Sequence, residues 1–103
     1  MNVCVTALGP TEDAEVDPRF GRCAYFVFFN LHTRVVEAVK NPNVEASGGA
    51  GIQSAQLVAS KAAIVVTGHL GPNAFKTLNA AGISMFTGAT GTVKEAVAAY
   101  EAG

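Results

Sequence analysis

Two segments in the second half of the chain repeat one order: a short apolar run, a turn that contains glycine, and a stretch of helical periodicity. The apolar runs are residues 62–68 (AAIVVTG) and 83–88 (ISMFTG), and the helical stretches begin near Gly71 and Thr92. Short apolar runs of this kind are typical of strands buried on both faces of a parallel sheet. The repeat therefore predicts parallel strands joined by helices, which restricts the chain to an α/β fold.

The first half of the chain predicts three further strands, the second and third of which form a hairpin. The predicted strands cover residues 2–8, 24–30, 34–40, 62–68 and 83–88, and the predicted helices cover residues 50–61, 72–81 and 92–100. Thr92 and Glu95 have the spacing of a capping box at the start of the last helix. The chain order β-β-β-α-β-α-β-α predicts a mixed five-stranded sheet with helices on both faces, connected by right-handed crossovers.

Composition limits the kinds of partner. A length of 103 residues predicts one domain over residues 1–103. The net charge is −1 and the seven Lys and Arg are scattered, which argues against nucleic acid as a ligand. No apolar run is long enough to span a bilayer, and the start of the sequence does not resemble a secretion signal. Cys4 and Cys23 do not have the spacing of a metal finger. Two cysteines without such a pattern are expected to be free thiols, which are typical of a reducing compartment. We therefore expect a cytoplasmic protein without membrane contact.

The predicted topology places the starts of all three helices at one edge of the sheet, where ligands bind in open α/β sheets. Helix N-termini carry unpaired amides and partial positive charge, and glycine permits close approach to the backbone. This edge is predicted to bind an anion, although the glycines fit neither nucleotide-binding motif and also suit tight turns. The glycines concerned are Gly48, Gly49, Gly51, Gly71, Gly88 and Gly91.

Four segments in sequence order resemble the dinitrogenase iron–molybdenum cofactor biosynthesis family, which includes nitrogenase cofactor carriers and the orange protein. They are VDPRFGRCAYF (16–26), GGAGIQSAQL (48–57), GHLGPNAF (68–75) and GATGTVKEAV (88–97). The resemblance covers nearly the whole chain and implies a ribonuclease-H-like fold. It also implies a non-catalytic carrier of an anionic metal–sulfur cluster, of the iron–molybdenum or molybdenum–copper type. A protein that donates or accepts the cluster is the implied partner.

The resemblance directs attention to the first of these segments. Nitrogenase-associated members commonly carry His immediately before Phe-Gly, whereas this chain has Arg19, which can pair with an anion but cannot ligate a metal. Cys23 and His69 are the candidate metal ligands, and we expect the neighbouring arginines to lower the pKa of the Cys23 thiol. The remaining candidates for cofactor contacts are Phe20, Gly21, Arg22, Asn73 and Thr92, together with the six glycines above.

Several alternatives stay open at this stage. Cys23 also suits a buried core position, Asn73 suits a helix cap, and the aromatic residues suit the core. Cys4 is predicted in the core, too far from Cys23 for a disulfide. The long loop 9–22 is a candidate mobile flap. Nuclease activity is disfavoured because the first and fourth strands lack carboxylates. The second functional hypothesis is a regulatory or interaction module that binds a small anion or a partner protein.

Overall fold

A computed structural model of the chain describes residues 1–42 and 50–103. The strands are β1 (Asn2–Ala7), β2 (Tyr25–Asn30), β3 (Val36–Lys40), β4 (Ile64–Val66) and β5 (Ser84–Phe86), and the helices are α1 (Ala50–Ala59), α2 (Pro72–Ala80) and α3 (Val93–Ala102). The predicted α/β fold, with three helices and a five-stranded mixed sheet, is confirmed.

The five strands form one sheet in the spatial order β3-β2-β1-β4-β5. Strands β4 and β5 run parallel to β1, whereas β2 is antiparallel to both β1 and β3. All strands except β2 therefore point in one direction, and their carboxyl ends meet at the same edge of the sheet. We call it the carboxyl edge; β2 begins there and β1, β3, β4 and β5 end there.

The strands alternate their side chains between two hydrophobic layers, as the period of two in a strand requires. Cys4, Phe26, Phe28 and Val65 pack on the side of α1 and α2, and Val3, Val5, Val27, Ile64 and Val66 pack on the side of α3. The central strands are thus covered on both faces, which explains their unbroken apolar sequences. No helix in the described ranges is long and apolar enough to cross a membrane.

The strands of the second half are shorter than predicted. The amide of Ala62 donates to the carbonyl of Val58, so this residue belongs to the turn that closes α1 and not to β4. Gly68 lies beyond the other end of β4, against Pro18. Hydrophobicity alone does not separate these flanking residues from the strand, because both ends of the run are apolar or small.

Of the two helix starts for which a cap is named above, one is confirmed. The Thr92 hydroxyl accepts from the Glu95 amide at 3.2 Å, and the Glu95 carboxylate accepts from the Thr92 amide at 2.9 Å, which completes the capping box. Gly82 follows α2 with φ of +76°, a conformation that favours glycine. The capping role of Asn73 is wrong: Gly71 is the N-cap and Pro72 is the first helical residue, so Asn73 lies inside the first turn.

Ser54 in α1 gives a direct test of packing in this helix. Its side chain is fully buried, and its hydroxyl has no hydrogen-bond partner in the described part of the chain. An unpaired buried hydroxyl is destabilising, so Ser54→Ala is expected to raise the free energy of unfolding by about 1 kcal/mol in urea titrations. Ser60→Ala is the control, because the exposed Ser60 hydroxyl donates to the Leu57 carbonyl at 2.6 Å and its removal should give no gain.

Candidate functional site

The segment from Ala14 to Arg19 lies across the carboxyl edge and is hydrogen-bonded to it along its length. The Asp17 amide donates to the Thr6 carbonyl at 2.9 Å, the Val16 amide to the Gly91 carbonyl at 2.8 Å, and the His69 amide to the Pro18 carbonyl at 2.8 Å. These hydrogen bonds attach this part of loop 9–22 to the sheet, and the mobile flap stays a prediction that backbone relaxation with and without ligand would test. The long connection works as an extra strand-like layer that joins the ends of β1, β4 and the last turn before α3.

A network of three buried polar residues holds this segment on the sheet: Asp17 of the segment, Thr6 of β1, and Thr67, which follows β4. The side chains of Thr6, Asp17 and Thr67 are fully buried. The Thr6 hydroxyl donates to the Asp17 carbonyl at 2.7 Å and also lies 2.7 Å from the Thr67 hydroxyl. Because buried polar groups are costly unless they are paired, this network favours a single position for residue 17 on the sheet.

Arg19 and His69 lie side by side at the carboxyl edge. Their backbones form a parallel bridge. The Arg19 guanidinium forms a two-pronged ion pair with Asp17, with Nε 3.1 Å from Oδ1 and Nη2 3.1 Å from Oδ2. The Asp17 carboxylate raises the pKa of Arg19, which keeps the cation charged. The structure thus brings together two of the residues selected from the sequence and adds Asp17 to them.

Cys23 lies in the core and not at the solvent-facing rim. Its side chain is fully buried next to Phe20 and Phe26 in the layer under α1 and α2. Burial, together with the nearby Asp17 carboxylate, raises the pKa of the thiol to about 12. The expectation of a lowered pKa is therefore wrong, because desolvation outweighs the attraction of Arg19. Cys4 is buried in the same layer as predicted, and both thiols are free.

Asn41 holds the backbone turn that carries Cys23. This asparagine is 2% exposed, and its side-chain nitrogen donates to the Gly21 carbonyl at 3.2 Å and to the Cys23 carbonyl at 2.9 Å. Its backbone amide donates to the Ala24 carbonyl at 3.0 Å. Asn41 was not among the predicted site residues; its only signal in the sequence is a polar side chain directly after a predicted strand and before Pro42.

The N-terminus of α3 is closed by the protein itself. The Val93 amide donates to the Ala14 carbonyl at 2.8 Å and the Lys94 amide donates to the Glu12 carbonyl at 2.9 Å. The Thr92 and Glu95 amides are used in the capping box. The Gly88 amide donates to the Gly68 carbonyl at 2.9 Å. Of the predicted anion contacts near α3, the Gly88 and Thr92 amides thus already have partners, and the Gly91 carbonyl accepts from Val16.

The N-termini of α1 and α2 lie next to each other. A Cβ built on Gly51, the second residue of α1, lies 3.6 Å from the Cβ of Ala74 in the first turn of α2. The N-cap of α2 is Gly71, which provides no side-chain hydrogen bond to that turn. Helix ends without a side-chain cap offer backbone amides to an anion. The first turn of α2 therefore supplies backbone amide donors close to Gly71 and His69, and Arg19 lies beside His69.

The structure places the remaining predicted cofactor contacts partly in the core and partly at the surface. Phe20 is 2% exposed, and its ring centroid lies 5.9 Å from that of Phe26, so its side chain anchors the loop in the core and does not line the edge. Arg22 and Asn73 are exposed, and Gly21 is half-buried. The predictions for Gly48 and Gly49 lie outside the described residues.

The donor set suits an anion better than a bare metal ion. Among residues 1–42 and 50–103, no group of three or more His, Cys, Asp and Glu side chains is arranged to hold a metal ion. The exposed groups at the edge are the Arg19 guanidinium and the His69 imidazole, next to backbone amides, while the Asp17 carboxylate is buried and paired with the guanidinium. Such groups bind a preformed anion by charge-assisted hydrogen bonds.

Comparison with known proteins decides the family. The family described as "Dinitrogenase iron-molybdenum cofactor" matches residues 1–103. The chain belongs to this family. A comparison with curated proteins gives no match.

Two solved structures of similar proteins support the membership in this cofactor family. The apo form of the orange protein from Desulfovibrio gigas is 43% identical, with a TM-score of 0.94 over 98% of this chain and 87% of that chain. An NMR structure of a Thermotoga protein, described as "a putative NifB protein" that belongs to the DUF35 family, is 33% identical, with a TM-score of 0.86 over 99% of this chain and 88% of that chain. Both similarities extend over nearly the whole fold.

Proposed function

We propose that the protein is a non-catalytic carrier that holds an anionic, molybdenum-containing metal–sulfur cluster at the carboxyl edge. The observation that carries this proposal is the juxtaposition of Arg19 and His69 beside the uncapped start of α2. The family match and the similarity to an orange protein support a cluster as the cargo. An iron–molybdenum and a molybdenum–copper cluster both fit this class of ligand.

The proposed binding mode is mainly non-covalent. Arg19, although paired with Asp17, supplies N–H donors, and the α2 amides supply further donors with the partial positive charge of a helix start. Sulfide or oxo groups of a cluster can therefore be bound without protein–metal bonds. His69 is the proposed ligand or donor from a side chain, since it is exposed at the rim. Cys23 remains a proposed ligand that must first become accessible, because the structure buries its sulfur.

The fold also bears on what the protein does not do. We infer a ribonuclease-H-like assignment from the reversed second strand and the strand order β3-β2-β1-β4-β5. Fold similarity does not transfer nuclease chemistry, which needs several carboxylates around metal ions.

We also propose a cytoplasmic location, where the two buried thiols stay reduced, and a cluster-donating or cluster-accepting protein as the partner.

Uptake of tetrathiomolybdate by purified protein tests the proposed site. Arg19→Ala and His69→Ala are expected to weaken uptake, measured from the bound absorption after gel filtration, because each removes a donor at the carboxyl edge. Cys4→Ser is expected to match the native chain, while Cys23→Ser shows whether its sulfur takes part. Unchanged uptake in Arg19→Ala and His69→Ala would contradict the site.

A negative uptake result has a specific meaning for the second hypothesis. If the folded native protein, isolated without molybdenum, binds no tetrathiomolybdate either alone or with added copper or iron, the carrier proposal fails. The carboxyl edge then becomes a site for a small anion or for a partner protein, as a regulatory module would have.

A further inference from the structure

Asp17 is a buried carboxylate whose position is determined by the sheet. Its side chain is 0% exposed, its amide donates to the Thr6 carbonyl at 2.9 Å, and its own carbonyl accepts from the Thr6 hydroxyl at 2.7 Å. An isolated buried carboxylate is costly unless donors surround it, and here the main donor is an exposed arginine. Asp17 is therefore a fixed point against which a mobile surface side chain can be oriented.

The contacts between Asp17 and Arg19 orient the guanidinium in two ways. Oδ1 accepts from the Arg19 backbone amide at 3.0 Å and from Nε at 3.1 Å, while Oδ2 accepts from Nη2 at 3.1 Å. The Arg19 side chain is nevertheless 64% exposed. A guanidinium has five N–H groups in one plane, so the pairing with Asp17 leaves the Nη1 pair and one Nη2 hydrogen for another acceptor.

We propose that Asp17 is a positioning residue that presents these remaining N–H groups of Arg19 to an anion with several acceptor atoms, such as an oxoanion or a thioanion. The inference deepens the proposed function and uses the same site. Because Asp17 also cancels the charge of Arg19, binding there depends on the direction of the N–H groups more than on net charge. A tetrahedral anion can use two of them at once, whereas a halide has a single acceptor centre.

Asp17→Asn separates positioning from simple electrostatics by the sign of the effect. Removal of a negative charge beside an anion site strengthens binding if charge alone matters. If Asp17 acts by positioning, the same variant weakens anion binding. Asparagine keeps one acceptor oxygen but places an NH₂ group against the guanidinium, so the two-pronged pair that orients Arg19 is lost. We expect sulfate binding, followed by the NMR signal of Arg19 Nε–H at constant ionic strength, to weaken about tenfold. Equal or tighter sulfate binding would overturn the inference.

A matched control and a second variant keep the test decisive. Arg34 forms a similar two-pronged pair with Glu101, with N–O distances of 3.0 and 3.2 Å, so Glu101→Gln removes a comparable carboxylate away from Arg19 and should leave sulfate binding unchanged. If Asp17→Asn does not fold, Arg19→Lys retains the charge but lacks the planar fork. This variant has no Arg19 Nε–H, so its sulfate binding is followed by the backbone amide signals of residues 19 and 69. It should also bind sulfate about tenfold more weakly than the native chain, and native-like binding by it would overturn the inference.

The two probes separate this inference from the proposed function. Sulfate binding at Arg19 that depends on Asp17, without uptake of tetrathiomolybdate, keeps the positioning role and removes the cluster carrier. Uptake of tetrathiomolybdate by a protein whose Arg19 Nε–H signal does not respond to sulfate overturns the positioning role and keeps the carrier.

Discussion

Gly68→Ala is expected to lower the free energy of unfolding by about 3 kcal/mol, at the upper end of the range for overpacked sites. A Cβ at this position lies 2.6 Å from Cα and 2.7 Å from Cβ of Pro18, and 3.2 Å from its carbonyl oxygen. These are mainly backbone atoms in a segment that is hydrogen-bonded on both sides. The segment can escape only by breaking contacts such as the 2.8 Å bond between the His69 amide and the Pro18 carbonyl.

The same substitution should also reduce ligand binding, because the contact of residue 68 with Pro18 sets the distance between Arg19 and His69. Urea unfolding and tetrathiomolybdate uptake measure the two effects. Asn79→Ala is the control, because Asn79 is exposed in the last turn of α2, away from the start of that helix. Native stability in Gly68→Ala would contradict the packing of Pro18 on the sheet.

Asn41→Ala is expected to cost about 3 kcal/mol of unfolding free energy, because it leaves at least two carbonyl groups near Cys23 without their donor. These groups, on Gly21 and Cys23, accept from the Asn41 side chain at 3.2 and 2.9 Å. The turn from Gly21 to Cys23 should loosen as a result. Urea unfolding measures the loss of stability, and alkylation of Cys23 by iodoacetamide in the native state should become faster.

Asn79→Ala provides the comparison for this prediction. Asn79 is exposed in α2, so its substitution should leave stability and Cys23 alkylation close to native. If Asn41→Ala behaves like Asn79→Ala in both measurements, the assigned role of Asn41 is wrong.

The fold was predictable because hydrophobic period and turn chemistry agree along most of the chain. Phe26 and Phe28 alternate with Val27 and Phe29 between two layers, and Thr92 with Glu95 specifies the start of α3. These signals are local, so a single sequence reveals them. The strand ends were less predictable, since Ala62 belongs to a helix turn in spite of its apolar neighbours.

The details of the site depend on contacts between residues far apart in sequence, and these were less predictable. Gly68 was predicted only as the last residue of a strand, and nothing local in the sequence indicates its close contact with Pro18. The α3 amides looked open to an anion, but the carbonyls of Glu12 and Ala14 occupy two of them. The arginines near Cys23 suggested an activated thiol, yet burial raises its pKa to about 12. Close packing, hydrogen-bond pairing and desolvation, in that order, explain these three differences, and all of them arise between residues far apart in sequence.

Metal analysis with a visible absorption spectrum is the most direct test of the central claim that the carboxyl edge carries a metal–sulfur cluster. The protein is produced and purified without oxygen, from cells supplied with molybdate, iron and copper. A cluster carrier should contain stoichiometric molybdenum and show a charge-transfer band, and both should be reduced in Arg19→Ala. A colourless, folded protein without molybdenum, which also fails to take up tetrathiomolybdate afterwards, would contradict the claim.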